Sequence, residues 1–373
     1  MKKRSHSDGP RSGGRAHAGK SVGLKDIAQQ LGLSVATVSV VLNDAPAAKV
    51  ISQGTKDRIR AAAAELKYRP NFFARNLRRQ RSFTVGVMVP EISEGYAATV
   101  MSGIEERLLD RGYLYFLASH GGHPDLIEEY PELLLERGLE GLILVNTPAR
   151  AAFHVPVVAV AGHEYIPGVV NVRLDNERAA WLAIEHLALL GHRDIAVFKG
   201  HPGSADTEAR WQGISRAAAA LGVNLPPELT LQLQGTSLSP EGPSRNEGYE
   251  YGQKLLAVGR PFTALVAFND ITALGAIRAF QDAGRDVPSD VSVVGFDDIQ
   301  AAAFHNPRLT TVRQPMRKMG EVAANALLDC IANVSGGGQT ILIEPELITR
   351  ESTARAILHD SSTHKTSHAG IGD

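Results

Sequence analysis

The run Leu24-Lys25-Asp26-Ile27-Ala28-Gln29-Gln30-Leu31-Gly32-Leu33-Ser34-Val35-Ala36-Thr37-Val38-Ser39-Val40-Val41-Leu42-Asn43 decides how the front of this chain folds. Leu24, Ile27, Ala28 and Leu31 recur at helical spacing and share one face, which predicts a short helix over 24–31. Gly32 can take the positive φ of a tight turn, and Ser34 can cap the helix that follows. That second helix, over 35–42, turns Val38, Val41 and Leu42 inward, and the small Ala28 lets the two helices cross closely. Ala28, Gly32 and Val38 have the spacing of a helix-turn-helix, whose second helix enters the major groove of DNA. The spacing alone leaves a plain helical hairpin open.

Charge around this run favours the groove. Residues 1–81 hold 17 Lys/Arg against five Asp/Glu, whereas the other 292 residues hold 22 against 35, so a net charge of −1 conceals a basic head on an acidic body. Such a head is suited to a polyanion. The chain has 373 residues, 43% of them hydrophobic and 21% charged, as expected of a globular protein with more than one folding unit. No apolar run reaches membrane-spanning length. Residues 1–20 are basic and Gly/Ser-rich without an apolar core, so they read as a disordered arm rather than a secretory signal, and a cytoplasmic, nucleoid-associated protein is expected. Cys330 is the one cysteine, which excludes an internal disulfide.

Behind the head, residues 21–67 in all, comes a basic connector (68–82), then a change of texture. β-rich runs at 83–89, 113–118, 141–145 and 157–161 alternate with helical segments at 96–111 and 125–137. A second series alternates helices at 177–190, 207–221, 249–257 and 271–283 with strands at 195–199, 229–234, 264–268 and 291–295. Strands separated by helix-length segments predict doubly wound parallel sheets, here two lobes over 83–353 with a cleft between them. Open sheets of this kind bind ligands beyond the carboxyl ends of their strands. Residues 354–373 read as a disordered tail without leucine heptads.

Several segments together resemble the lactose/galactose-repressor family of transcription regulators. They are Leu24–Ala28, Ser34–Ser39 and Val41–Asn43; Tyr68-Arg69-Pro70-Asn71-Phe72-Phe73-Ala74-Arg75-Asn76-Leu77; Leu187–Ala196; Asn269-Asp270; Asp290–Asp298; and Pro307–Pro315 with Met319-Gly320. They span roughly residues 23–352 in order. The resemblance implies an all-α DNA-binding head, a hinge, and a periplasmic-binding-protein-like α/β body that senses a small molecule and dimerises. It implies no cofactor, metal or catalytic residue. The expected partners are double-stranded operator DNA, a saccharide-like effector and a second copy of the chain.

By the same resemblance, Val35, Ala36 and Val40 occupy base-reading positions. Ser34, Thr37, Ser39 and Asn43, supported by Lys25, face phosphates, in keeping with the division between contacts that position and contacts that specify. The family usually carries a polar donor where this chain has Val40, so readout leans on thymine methyls and DNA shape. In the hinge, Tyr68, Asn71, Ala74, Arg75 and Arg78 belong to the DNA-contacting set. Leu77 matches the leucine that relatives push into a minor-groove step. The cleft candidates are Tyr96, His163, Asp175, Arg210, Asn269 and Asp297. Asp270 and Asn176 read as helix caps, and Arg210 has the competing reading of a pair with a surface carboxylate.

Two other function classes compete: an enzyme on the same α/β fold, and an extracytoplasmic solute-binding protein. Gly14–Ser21 has P-loop spacing, but a polar arm precedes it where a strand is needed. No Gly-x-Gly-x-x-Gly follows the strand at 83–89, and no Gly-x-Ser-x-Gly elbow occurs. His120 and His123 are separated by two residues, with no Cys or third His arrangement to complete a zinc site. The basic head argues against the solute-binding reading.

Overall fold

A computed structural model describes residues 22–68, 81–92, 95–148, 153–161, 166–202, 204–234, 247–333 and 338–357. Contacts divide the chain into two units, Met1–Arg81 and Ser82–Asp373.

In the first unit, α1 (Leu24–Leu31), α2 (Val35–Leu42) and α3 (Gln53–Glu65) pack around Ile27, Ala28, Val38, Val41, Ile59 and Ala62. Both predicted helices have the expected bounds. Gly32 ends α1 at φ 65°, and Ser34 Oγ accepts the Thr37 N–H at 3.0 Å. Residues 46–50 form a 3-10 turn that leaves Val50 90% exposed.

The second unit holds two sheets. The first has β1 (Thr84–Val89), β2 (Leu114–Ser119), β3 (Leu142–Val145), β4 (Val157–Val160), β5 (Val169–Leu174) and β11 (Thr340–Ile343), in the order β11-β5-β4-β3-β1-β2, all parallel. The second has β6 (Ile195–Lys199), β7 (Thr230–Gln232), β8 (Ala264–Val266), β9 (Ser292–Asp297), β10 (Thr310–Arg313) and β12 (Glu346–Ile348), in the order β12-β10-β9-β8-β6-β7. Only β12 runs antiparallel to its neighbour. The helices are α4 (Gly95–Asp110), α5 (Pro124–Leu135), α6 (Asn176–Leu189), α7 (Ala205–Leu221), α8 (Glu247–Ala257), α9 (Asp270–Asp282), α10 (Gln300–Phe304) and α11 (Met316–Ile331).

Each sheet is covered on both faces, so its central strands are apolar throughout, and the alternation of side chains sends them to two different cores. Val85, Val87 and Val89 pack under α4 and α11, while Met88 joins Leu142 and Leu144 beneath Leu134 of α5. In the other lobe Ile195 and Val197 face α6 and α7, and Ala196 and Phe198 face α8 and α9. The tightest crossing is between α4 and α11. A Cβ on Gly103 would lie 2.0 Å from the Arg317 carbonyl oxygen, and one on Gly320 would lie 2.0 Å from that of Val100.

The chain passes between lobes three times: from β5 to α6, from β10 to α11, and from β11 to β12. β5, β10, β11, β12 and α11 lie outside the alternating series that hydrophobic patterning delineates. The predicted strand over 229–234 is shorter, since Pro227–Leu229 is a 3-10 turn. Residues 354–356, expected in the tail, are bound to the body. Ala354 N–H donates to Ser292 Oγ at 3.0 Å and Ala356 N–H to the Leu190 carbonyl at 2.9 Å, binding this stretch to the second lobe. Residues 1–20, with the P-loop-like Gly14–Ser21, and 358–373 lie outside the described residues. None of the described helices is long and apolar enough to cross a membrane.

Candidate functional site

A cleft opens at the carboxyl ends of both sheets. Pro90 follows β1, Asn146 follows β3 and Ala161 follows β4. His201 lies just beyond β6, Phe268 and Asn269 just beyond β8, Asp297 ends β9, and Gln314 follows β10. Strand ends are where parallel sheets expose backbone and side chains to a ligand. Three non-glycine lining residues hold positive φ, Asn146 at 44°, Ala161 at 53° and Asp297 at 113°, a conformation disfavoured for L residues and concentrated at ligand sites.

Four of the sequence-derived candidates, Tyr96, Arg210, Asn269 and Asp297, line this cleft together. Tyr96 comes from α4 of the first lobe and the others from the second. The Tyr96 hydroxyl is buried without a hydrogen-bond partner. Burial, then the charges of Asp206 and Asp297, push its ionisation well above the usual tyrosine range, so it is a neutral O–H.

Arg210 is 3% exposed, which excludes the surface-carboxylate reading. Its Nε donates to Asn176 Oδ1 at 3.1 Å and its Nη1 to the Phe268 carbonyl at 2.6 Å, while its Nη2 stands 4.0 Å from Asp206. The guanidinium lies over the Phe268 and Phe296 rings at 4.7 and 4.3 Å. Asp206 in turn accepts from Asn176 Nδ2 at 2.7 Å. Arg210 therefore braces the cleft floor as much as it faces it.

Asn269, not Asp270, is the cap of α9: its Oδ1 accepts the Thr272 N–H at 2.9 Å. Asp175, not Asn176, caps α6 by accepting the Arg178 N–H at 2.9 Å, and it is absent from the cleft lining. Asp175 thus stands at the crossover from β5 to α6 as a helix cap, apart from the four candidates gathered in the cleft. His163 lies outside the described residues.

Asp270 is fully buried behind the floor. Its Oδ1 accepts the Thr311 hydroxyl at 2.5 Å and its Oδ2 the Ile299 N–H at 2.9 Å. Gly295 makes room for it, since a Cβ there would lie 2.2 Å from Asp270 Oδ1. Burial, followed by the charge of Asp297, raises the Asp270 carboxyl to about 8.

Sequence reading missed His201, Asp206, Glu247 and Gln314 in the lining. His201 and Gln314 immediately follow strands, a positional signal that was available. Glu247 opens α8 beyond a stretch that no pattern aligns. His201 Nε2 stands 3.3 Å from Glu247, and Gln314 Nε2 donates to Asp297. Asp298, next to Asp297, accepts from Arg313 Nε at 2.7 Å and from Arg350. His120 uses both ring nitrogens on protein, toward Thr147 Oγ1 and Gly122 N–H at 3.0 Å each.

In the head, Lys25, Ser34, Val35 and Ala36 are exposed, and Thr37, Val40 and Asn43 are partly so. Ser39 departs from expectation: it is 7% exposed, and Asn43 Nδ2 donates to its carbonyl at 2.8 Å and lies 3.3 Å from its hydroxyl. It positions Asn43 instead of reaching outward. Tyr68 packs partly buried against the head core. Asn71, Ala74, Arg75, Leu77 and Arg78 lie outside the described residues.

Comparison with known proteins follows the same division. Residues 23–71 match the model of bacterial regulatory proteins of the lacI family, and residues 184–353 match a periplasmic binding protein-like domain. The HTH-type transcriptional regulator RegA of Clostridium saccharobutylicum is 32% identical over 338 residues, covering 88% of this chain and 98% of the relative. The HTH-type transcriptional repressor PurR of Haemophilus influenzae is 30% identical over 342 residues, covering 88% and 98%. Among solved structures, a lac repressor dimer bound to operator and an anti-inducer superposes with TM-score 0.79 at 27% identity, covering 90% of this chain and 100% of that one. A complex of the regulator CelR with cellobiose gives TM-score 0.64 at 27% identity, covering 89% and 99%. A regulator from Enterococcus faecium with bound ribose gives 0.63 at 28%, covering 74% and 100%. With its helix-turn-helix head and its two parallel α/β sheets, this chain belongs to the lacI family of DNA-binding transcription regulators, which are not enzymes and carry an effector-binding domain.

Proposed function

We propose that this protein is a homodimeric repressor acting in the cytoplasm, whose hold on a pseudopalindromic operator is set by a small polyol, of the saccharide class, bound between the two lobes. The observation that carries this reading is the cleft itself. Tyr96 and Asn146 from one lobe face Arg210, Asn269 and Asp297 from the other, across connections that a hinge motion can use. A ligand touching both walls favours one lobe arrangement over another, and only such differential contact can alter DNA affinity. Convergent hydrogen-bonding groups beside the Tyr96 and Phe268 rings suit a polyol. Cellobiose and ribose in the two related complexes support that class.

Val35, Ala36 and Val40 face the bases, with Lys25, Ser34, Thr37 and Asn43 at phosphates. Residues 68–82 join head to body, and Leu77 is the minor-groove wedge on the strength of the hinge motif. A second copy covers the outer edge of the first sheet, where Leu114, Phe116 and Leu117 of β2 are exposed beside Leu109. The lac repressor dimer bound to operator supports a dimer as the DNA-binding form.

Sequencing of genomic fragments retained by the purified protein tests the reading. Enrichment of two-fold sites is expected, with Val40→Arg altering preference at one symmetric pair of positions. Retention without sequence preference, or a monomer on DNA by sedimentation, contradicts it.

A further inference from the structure

We propose that His120 and Thr147 are positioning residues of the effector site: together they hold Asn146 in the left-handed turn from which its amide meets the ligand. The inference rests on the reading of the cleft as an effector site.

Asn146 is where the chain leaves β3 for the cleft. Its N–H still belongs to the sheet and donates to the Val160 carbonyl at 2.8 Å. The residue itself takes φ 44° and lines the cleft. Asparagine enters the left-handed region more readily than most residues, but it does so at a cost, and such a conformation persists where its surroundings over-determine it.

Those surroundings are a relay of hydrogen bonds. Thr147 Oγ1 donates to the Val145 carbonyl at 2.8 Å, a bond that spans the left-handed residue. The same oxygen lies 3.0 Å from His120 Nε2, and the Gly122 N–H donates to His120 Nδ1 at 3.0 Å. The Gly122 bond decides the tautomer. Nδ1 holds a lone pair, so the proton of the neutral ring sits on Nε2 and is donated to Thr147 Oγ1, whose own hydrogen is committed to Val145. Donors and acceptors therefore match from Gly122 to Val145.

The relay also does what the sheet does not. β2 and β3 are not neighbours, since β1 lies between them. His120 follows β2, its N–H donates to the Val89 carbonyl of β1, and its ring reaches Thr147 beyond β3. One side chain thus ties three strand ends together at the edge of the cleft. His120 and Thr147 are 2% and 1% exposed, and burial makes each bond costly to leave unmade.

Paired substitutions in the full-length protein test the assignment. His120→Asn keeps an acceptor at the Nδ1 position for Gly122 but is too short to reach Thr147, whereas His120→Gln keeps a donor near the Nε2 position. Thr147→Val removes the hydroxyl with little change of shape, and Thr147→Ser restores it. Either pair suffices should a member of the other fail to fold. Affinity is read by titration calorimetry with D-ribose, cellobiose, D-glucose and D-galactose. For a sugar that binds, His120→Asn and Thr147→Val are expected to weaken binding about 10-fold, as for one lost hydrogen bond to the ligand. His120→Gln and Thr147→Ser are expected to stay within about threefold of wild type. In an Asn146→Ala background, Thr147→Val is expected to change affinity by less than about twofold, because the residue it positions is gone. General damage to the lobe would weaken binding in both backgrounds. Wild-type affinity in His120→Asn, no rescue by Gln and Ser, or full additivity with Asn146→Ala each overturns the proposal. Hydrogen exchange of segment 142–148 without sugar is the second arm. It should rise in His120→Asn and Thr147→Val and not in the conservative variants, and unchanged exchange in the first two also overturns the proposal. No heat from any of the sugars overturns the saccharide reading of the cleft, and exchange alone then decides the positioning role.

Discussion

The two lobes share a strand order and differ in what they bring to the cleft. Apart from Glu91, the first lobe contributes a wall of Pro90, Tyr96, Ala97, Asn146 and Ala161, while the second contributes His201, Asp206, Arg210, Glu247 and Asp297. Their internal packing differs in the same sense. The first lobe is closed by a glycine-mediated helix crossing, Gly103 against Gly320, whereas the second buries Arg210, Asn176 and Asp206 in one connected polar network and Asp270 in a separate one with Thr311. One fold thus supports two tasks. The first lobe presents a largely apolar wall with one phenol, and the second a floor rich in charged side chains.

Breaking the floor has the largest expected effect. Arg210→Met leaves Asp206 buried without its cation and frees Asn176 Oδ1 and the Phe268 carbonyl, at a cost of about 3–5 kcal/mol. Hydrogen exchange resolved by segment should show protection falling in α7, α9 and β9 and little change in the first lobe. Equal loss in both lobes would show that they are not separable. Because Arg210 is a brace, lost effector affinity in this variant is a consequence of the damaged floor as well as of any lost contact.

Next comes the wall. Gly103→Ala places a methyl group into the Arg317 backbone, and overpacking of this kind costs about 1–3 kcal/mol. The expected outcome is the mirror image, with faster exchange in α4 and α11 and a second lobe unchanged. A fully tolerated alanine would mean that the helices separate freely.

These contrasts were unevenly legible in the sequence. The first two helices of the head were readable to their bounds because Gly32 and Ser34 act locally, through a left-handed turn and a cap. Apart from β5, the alternating strands and helices were readable as far as β9 because strands buried on both faces are continuous apolar runs. Beyond β9 the chain crosses between lobes, and contacts such as Thr310 N–H to Ser352 Oγ join residues 42 apart, which no local pattern announces. The same limit applied to side-chain roles. Nothing local distinguishes Asp175 as a cap from Asn176, or shows that Ser39 faces inward; both depend on where the preceding turn leaves the helix axis. Arg210, Asn269 and Asp297 were found by motif, whereas Gln314 was visible only once β10 had been placed.

A smaller effect separates the lobes by pH. His120, in the first lobe, is held neutral by burial and its ionisation falls to about 4. A depressed histidine means that the unfolded chain binds more protons between about 4 and 6.5, so the first lobe gains stability as pH rises through that window. Asp270, in the second lobe, has its carboxyl raised to about 8 from an ordinary carboxylate value. Here the folded state holds the extra proton, so the second lobe loses stability as pH rises from about 4 to 8. Segment-resolved exchange between pH 5 and 8 should therefore show opposite slopes, with Asp270→Asn flattening the second. Parallel slopes would contradict the assignment of either group.

The central claim is that occupancy between the lobes governs the head's hold on DNA. Its most direct test is the operator dissociation constant by fluorescence anisotropy, with and without a ligand shown to bind the cleft, for wild type and Asp297→Ala. The ligand is expected to shift wild-type affinity by about 5–150-fold, a coupling of about 1–3 kcal/mol. The variant should bind operator as wild type does without ligand and show no shift at the same ligand concentration. An equal shift in the variant, or none in the wild type with the cleft saturated, would contradict the account.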